Sequence, residues 1–427
     1  MVAGRGLAHA DSWVAGQGPP ARPIRHTWEA PVFTERRSVG LDVHARSVAA
    51  AAIDGVTGEL IQTRLTPSDD HIRSWVGGLA GPVAVAYEAG PTGFGLARVL
   101  RAAGIRCVVA APSKLQRPSS DRVKTDAKDA VHLARLLRLD EVTPVVVPTV
   151  EQEAARDLVR AREDCRGDLM RVRHRLSKLL LRHGIVYSDG QAWTGVHDAW
   201  LRRQRFPSPA VQMAFESDYD AVLTVKARRD RLDVAITAMA ADSEFTPLVR
   251  RLGCLRGVST LTGFALAVEI GDWHRFTGKT IGSFVALVPS EHSSGTSRVQ
   301  GSITKTGNTH VRRLPIEAAW HHHPRYVAGK TMRDRWALAT PATRARARGD
   351  AGNQRLHDRW ITFNLRRNRH VVANATSSPA NSPAGAGHWP SWTSNAPRSR
   401  LRRPHARGSA REATRDAIMS RTTHNRR

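Results

Sequence analysis

A chain of 427 residues with 65 Lys and Arg against 38 Asp and Glu carries a formal net charge of +27, which favours a polyanionic partner, nucleic acid most simply and anionic lipid as the rival. No apolar run approaches the roughly 18 residues that cross a bilayer, and the N-terminal stretch lacks the apolar centre of a signal peptide, so the expectation is a soluble, cytoplasmic protein with no membrane partner. Three cysteines, Cys107, Cys165 and Cys254, are too widely spaced for a zinc site and read as reduced, inert, partly buried thiols.

Residues 1–36, with "GQGPPARPIRH" and no sustained periodicity, read as a disordered leader. Order begins near Ser38. "SVGLDVHA" and "SVAAAAID" are short apolar runs suited to strands, and "DGVTGE" before "LIQTRL" is a turn signal, so an antiparallel meander is expected. A helical "SDDHIRSWVGGLA", a strand "PVAVAYEAG", a helix "TGFGLARVLRAAG", a strand "IRCVVAA" and a helix in "DRVKTDAKDAVHLARLLR" follow. Strands alternating with helices that cover both faces describe an α/β layer architecture over 37–149.

From 150 to 250 the pattern changes to long, charged helices. Leu158, Ala161, Cys165, Leu169, Val172, Leu176 and Leu179/Leu180 recur every three to four residues, which predicts a helical or coiled-coil arm, or equally a helix packed within a bundle. Residues 251–373 read as a mostly α third domain. Its opening "RGVSTLTGFAL" has a glycine between two apolar stretches, as a helix-hairpin-helix element does when its amides meet a phosphate. Residues 374–427 turn to Ser, Pro, Ala and Gly, then to arginine, and read as a disordered tail.

Carboxylates stand where chemistry is built. Asp42 interrupts the first apolar strand, Glu88 ends a later one, and Asp126 and Asp129 lie three apart, on one face of a helix. Alone, each acid reads as a cap or a surface ion pair, Asp126 and Asp129 with Arg122, Lys124 or Lys128. Together, in that order on strand, strand and helix, they suit a cation bound by hard oxygen ligands, Mg²⁺ or Mn²⁺.

"GLDVHARSVAAAAID", "YEAGPTGFGLARVLRAAGIRCVVAAPSKL" and "RVKTDAKDAVHLARLL" resemble the N-terminal domain of the DEDD transposases of insertion-sequence family one hundred and ten, over roughly 38–373. The resemblance implies an RNase H and Holliday-junction-resolvase-like fold, with Asp42, Glu88, Asp126 and Asp129 as the metal-binding catalytic acids. "FVALVPSEHSSGTSRVQGSITKTGNTHVRRLPIEAAW" resembles the family's C-terminal domain, which implies Ser294 as the nucleophile, with Ser293 second, and a composite site formed across domains or subunits. Its own residues read first as a Ser/Gly loop on a basic surface. Arg298, Lys305, Arg312 and Arg313 are the candidate nucleic-acid-binding cations. His321, His322 and His323 are assigned no metal, because adjacent helical histidines diverge. The resemblance also implies DNA as substrate, a structured guide RNA and a homo-oligomer, dimer or tetramer.

The expected function is therefore an RNA-guided DNA transposase or recombinase. Its rivals are a resolvase-like metal-dependent nuclease and an inactive nucleic-acid-binding remnant. Pro315 departs from the family by standing inside an expected helix, where an interior proline costs about 3 kcal/mol or more. The tail departs as well: shifted by one frame, "SSPANSPAGAGHWPSW" back-translates to an apolar helical run, and 398–427 carries ten arginines against two acids, as a frame slip near Ala375 would leave it.

Overall fold

The computed structural model describes residues 35–115, 125–277 and 280–365. The expected leader up to residue 34 and the expected tail from 374 lie outside these. The chain divides into two compact units, Met1–Pro148 and Thr149–Arg427.

In the first unit β1 (Arg37–Val43), β2 (Val48–Asp54) and β3 (Leu60–Leu65) form the meander that the turn signal announced. Buried Asp54 closes its second turn by accepting from the Val56 and Thr57 amides at 2.8 and 3.1 Å, the local bond that makes Asp a turn residue. α1 (Asp69–Gly77), β4 (Val83–Glu88), α2 (Gly95–Ala102), β5 (Arg106–Ala110) and α3 (Asp126–Arg138) complete it. The strand order is β3-β2-β1-β4-β5, antiparallel on the meander side and parallel from β1 through β4 to β5.

Period two sorts the sheet into two unlike faces. On one, Val39, Leu41, Val85 and Tyr87 pack with Ile72 and Val76 of α1 and Leu96 and Leu100 of α2. On the other, the centre is small, Gly40, Ala49, Ala51, Ala84 and Ala86, with Ala130 and Leu137 of α3 laid on the alanines. Gly40 is where this matters most: a Cβ there would lie 2.0 Å from the Ala130 carbonyl oxygen. The smooth face lets α3 approach the sheet at backbone distance.

The second unit opens with α4 (Val150–Arg182), α5 (Gly195–Leu201) and α6 (Pro209–Ala241). Ala155 and Val159 near the start of α4 share a cluster with Ile236 and Ala240 near the end of α6, while Leu176 and Leu179 join Phe215 and Val222, so the two 33-residue helices run antiparallel. The expected apolar seam holds from Cys165 to Leu180. Before it, the seam runs through Ala155 and Val159, with Leu158 partly buried and Ala161 exposed. Arg162 fills the intervening turn and pairs with Asp233 of α6 at 2.7 Å, a charged position that a search for apolar periodicity passes over.

α7 (Thr246–Leu252), α8 (Thr260–Ile270), α9 (Thr280–Phe284), β6 (Pro289–Ser294), β7 (Ser297–Ile303), α10 (Thr309–Ala319), α11 (Lys330–Leu338) and α12 (Ala342–Asn364) follow. Gly257, the glycine of the expected helix-hairpin-helix, lies between α7 and α8 at φ +77°, and a Cβ there would meet the Ala318 carbonyl oxygen at 2.4 Å. Its freedom serves a close packing within the unit. Pro315 is buried inside α10, where its ring nitrogen offers no proton to the carbonyl one turn back. All three cysteines are free and buried.

Candidate metal centre and serine hairpin

The sheet register brings the first unit's acids together. Leu41 pairs with Tyr87, so the next residues along these parallel strands, Asp42 and Glu88, fall side by side at or next to the ends of β1 and β4. Asp42 also pairs with Ala49, and Ala49 with Arg64. Arg64, Ala49, Asp42 and Glu88 thus form one row across the sheet, on the face that α3 covers.

α3 begins above that row. Thr125 caps it, its hydroxyl accepting from the Lys128 amide at 3.3 Å, and Asp126 and Asp129 fall in the first turn, where the helix dipole favours negative charge. His44, just past the end of β1, reaches the Asp42 Oδ2 at 3.1 Å and the Asp126 Oδ1 at 3.8 Å through its Nε2. Arg64 stands 3.7 Å from the other Asp126 oxygen. One ligand atom each from Asp42, His44 and Asp126 lies within 4.8 Å of the others.

Of the four acids expected from the sequence, Asp42 and Asp126 meet in this group. Asp129 contributes through its charge: burial first, then the Asp126 and Asp129 carboxylates, push the Asp42 pKa up, against the opposing charge and hydrogen bond of His44. Glu88 is exposed at the neighbouring strand end, outside the triad of ligand atoms. His44 was missed among the candidates; the one signal for it is faint, a residue two after Asp42 in "GLDVHA" and so on the same face of the strand. Two carboxylate oxygens and an imidazole nitrogen at this spacing suit a divalent cation such as Mn²⁺ or Mg²⁺.

In the second unit the Ser/Gly segment forms a hairpin, not a loop. Ser294 pairs with Ser297 across a two-residue turn led by Gly295 at φ +58°, the position that such turns give to glycine. The Ser293 hydroxyl donates to the Glu291 Oε1 at 2.8 Å, and Glu291 also accepts from Arg298 at 2.8 Å and Gln300 at 3.3 Å. These bonds, Arg298 foremost, hold the Glu291 carboxyl down at about 2. Ser294 stands exposed at the strand end.

The candidate cations divide. Arg298 and Lys305 are exposed, Arg298 in its ion pair with Glu291. Arg312 is buried and donates to the Thr306 carbonyl at 2.8 Å, and Arg313 joins Glu163 and Glu317, both at 2.6 Å, so each also braces the fold. Of the three histidines, His322 is buried, which pushes its pKa down to about 3, whereas His321 and His323 are exposed.

Comparison with known proteins agrees with this architecture. The profile of DEDD transposases of IS110 elements matches residues 39–185, and that described as the transposase IS116/IS110/IS902 family matches 249–346. The chain is 34% identical over 359 residues to y4qE of Sinorhizobium fredii, assigned as a transposase, covering 82% of this chain and 88% of the relative. It is 31% identical over 295 residues to the transposase for insertion sequence element IS1533 of Leptospira borgpetersenii, covering 66% of this chain and 84% of the relative. No helix among the described residues is long and apolar enough to cross a membrane. The chain belongs to the IS110 family of transposases, enzymes that act on DNA.

Proposed function

We propose that this transposase cuts and rejoins DNA with divalent cations held by Asp42 and Asp126, assisted by Glu88 and Asp129, and with Ser294 as the nucleophile. The observation that carries this reading is the meeting of Asp42, His44 and Asp126 at the end of the central strand of a sheet ordered β3-β2-β1-β4-β5. That order supports an RNase H and resolvase-like fold for the first unit, whose strand ends are where such sheets assemble sites. A bound divalent cation would neutralise the clustered carboxylates and stabilise the charge that develops on the phosphodiester.

The protein's own groups have separable tasks. Asp42 and Asp126 present hard oxygens from strand and helix, and His44 orients the Asp42 carboxylate by its hydrogen bond. Ser294 carries no hydroxyl contact that ties it down, whereas the Ser293 proton is committed to Glu291, a carboxylate too weakly basic to remove it. Attack by the Ser294 oxygen on phosphorus forms the Oγ–P bond as the bond to the leaving deoxyribose oxygen breaks, with the hydroxyl proton passing to solvent. Arg298 and Lys305 lie exposed near that hydroxyl in sequence and can neutralise phosphate oxygens. The net charge of +27 supports a structured guide RNA as a second polyanion, and the family likeness supports a homo-oligomer, dimer or tetramer.

Incubation with DNA carrying the element's ends, in Mg²⁺ and in EDTA, followed by denaturing gels, tests this. A protein–DNA adduct that forms only with metal supports the serine mechanism. Metal-dependent cleavage without an adduct contradicts it and leaves a resolvase-like nuclease.

A further inference from the structure

α12 carries five arginines, Arg344, Arg346, Arg348, Arg355 and Arg359, against two acids, Asp350 and Asp358. Its packed face is marked by Ala345, Gly349, Leu356 and Trp360, all buried. At 3.6 residues per turn, Arg344, Arg348 and Arg355 fall within about 40° of one another, beside that face, and span about 16 Å along the axis. Arg344 and Arg348 are exposed and Arg355 is half-buried. None of the three forms an ion pair among the described residues. The acids of the helix accept from neutral donors instead, Asp350 from the Tyr326 hydroxyl at 2.7 Å and Asp358 from the Gln354 amide at 2.8 Å. On α4, by contrast, Arg160, Arg162, Arg166 and Arg175 each meet a carboxylate. Positive charge therefore accumulates along one side of α12, and burial, then the charge of Arg355, push the pKa of neighbouring Arg359 down.

We propose that this side of α12 docks on the backbone of double-stranded DNA, with Arg344, Arg348 and Arg355 each taking one phosphate. The guanidinium fork suits phosphate oxygens, and an unpaired arginine has no carboxylate to leave before it binds one. Ala347 and Ala351, exposed between the arginines, are small, so the helix can come close to the strand. Other polyanions match less well. A single strand calls for aromatic rings on which bases stack, and none lies between Arg344 and Arg355. A lipid surface calls for an exposed apolar face beside the charges, whereas the apolar residues here are packed inward. Duplex RNA is read through its 2′-hydroxyls, for which the arc from Arg344 to Arg355 offers no hydroxyl or amide side chain. Docking of this kind needs neither the metal nor the serine.

The test measures binding of a short fluorescein-labelled DNA duplex to the full-length protein in EDTA, by fluorescence anisotropy across a salt series. The slope of log K against log salt counts the phosphates neutralised, at about 0.9 for each. A triple variant, Arg344→Gln, Arg348→Gln and Arg355→Gln, should lower the magnitude of that slope by about 2.7. The wild type then loses about 40-fold more affinity than the variant between about 50 and 200 mM salt. A control variant, Arg73→Gln, Arg202→Gln and Lys226→Gln, removes equal charge from cations already paired with Asp70, Asp198 and Asp230, and should keep the wild-type slope. A wild-type slope in the α12 variant, an equal fall in the control, or a larger fall with duplex RNA than with DNA would overturn the proposal. Should the triple variant fail to fold by circular dichroism, Arg344→Gln with Arg348→Gln decides, since both side chains are exposed. Its slope should fall by about 1.8, and a fall of less than about one overturns the proposal too.

Discussion

Replacing Gly40 by alanine adds one methyl group at the point where helix and sheet touch most closely. The new Cβ would stand 2.0 Å from the Ala130 carbonyl oxygen, 2.5 Å from the Ala134 amide nitrogen and 2.9 Å from the Leu133 Cβ. The first two are helix backbone and cannot swing aside as a long side chain does. Opening the shortest contact to the 3.4 Å at which ordinary contact begins moves α3 outward by about 1.4 Å. Overpacking of this kind costs about 1–3 kcal/mol, or roughly 2–12 °C in Tm for a unit near 150 residues. Asp126 rides on α3 while Asp42 and His44 belong to the β1 end, so the 4.8 Å grouping loosens by a comparable distance. A misplacement of about 1 Å at a reacting centre costs on the order of a hundredfold in rate. Calorimetric melting, Mn²⁺ titration and DNA cleavage measure the three effects, with Gly95→Ala as a control because a Cβ there meets nothing within 4 Å. If Gly40→Ala melts with the wild type and binds Mn²⁺ equally well, the claim that this glycine seats α3 over the acids is refuted.

Three other outcomes are expected. Burial pushes the Glu269 carboxyl up, but hydrogen bonds and charge from His310, Arg160 and Arg156 outweigh it and hold the group down at about 2 from 4.5. Stability of order 3 kcal/mol is therefore present above pH ~4.5 and lost as pH falls toward ~2, and Glu269→Gln should remove that dependence from an acid melting series. Ser294→Ala should eliminate the covalent DNA adduct on denaturing gels while leaving Mn²⁺ affinity intact, whereas loss with Ser293→Ala alone would move the nucleophile by one residue. Pro315→Ala restores an amide donor within α10 at the cost of a small void and should raise thermal stability, by about 2 kcal/mol in chemical denaturation, and an unchanged midpoint would show the proline to be accommodated without penalty.

The first unit was the more legible in sequence because its signals are local. Strand runs such as "SVAAAAID" are apolar from Val48 to Ile53, and the turn at Asp54 to Glu59 announces itself by Asp and Gly, so element order and the meander followed directly. The sequence led to the expectation that Asp42, Glu88, Asp126 and Asp129 converge; the structure groups Asp42 and Asp126 with His44. His44 was harder to see, because a histidine beside an acid is ordinarily a surface partner and only the distance to Asp126, 82 positions along the chain, marks it out. The serine hairpin was missed for a different reason. "PSEHSS" and "SRVQGSI" are polar and almost wholly exposed, so no alternation of buried and exposed residues marks them as strands; the turn at Gly295 and cross-strand pairs make the hairpin instead. Arg162 and Glu269 show the same limit in the helices. Buried or half-buried charges are satisfied by partners far along the chain, at Asp233 and Arg160, and no periodicity reports such pairs.

The central claim is that Asp42 and Asp126 hold the cation on which strand cleavage depends. Its most direct measurement is Mn²⁺ binding by the full-length protein, followed by the electron paramagnetic resonance of the free ion, for the wild type, Asp42→Asn and Asp126→Asn. Saturable binding that either substitution weakens at least about tenfold, with affinity for DNA retained, is the predicted result, because each removes a charged oxygen from a site of hard ligands. Wild-type Mn²⁺ affinity in both variants would contradict the account.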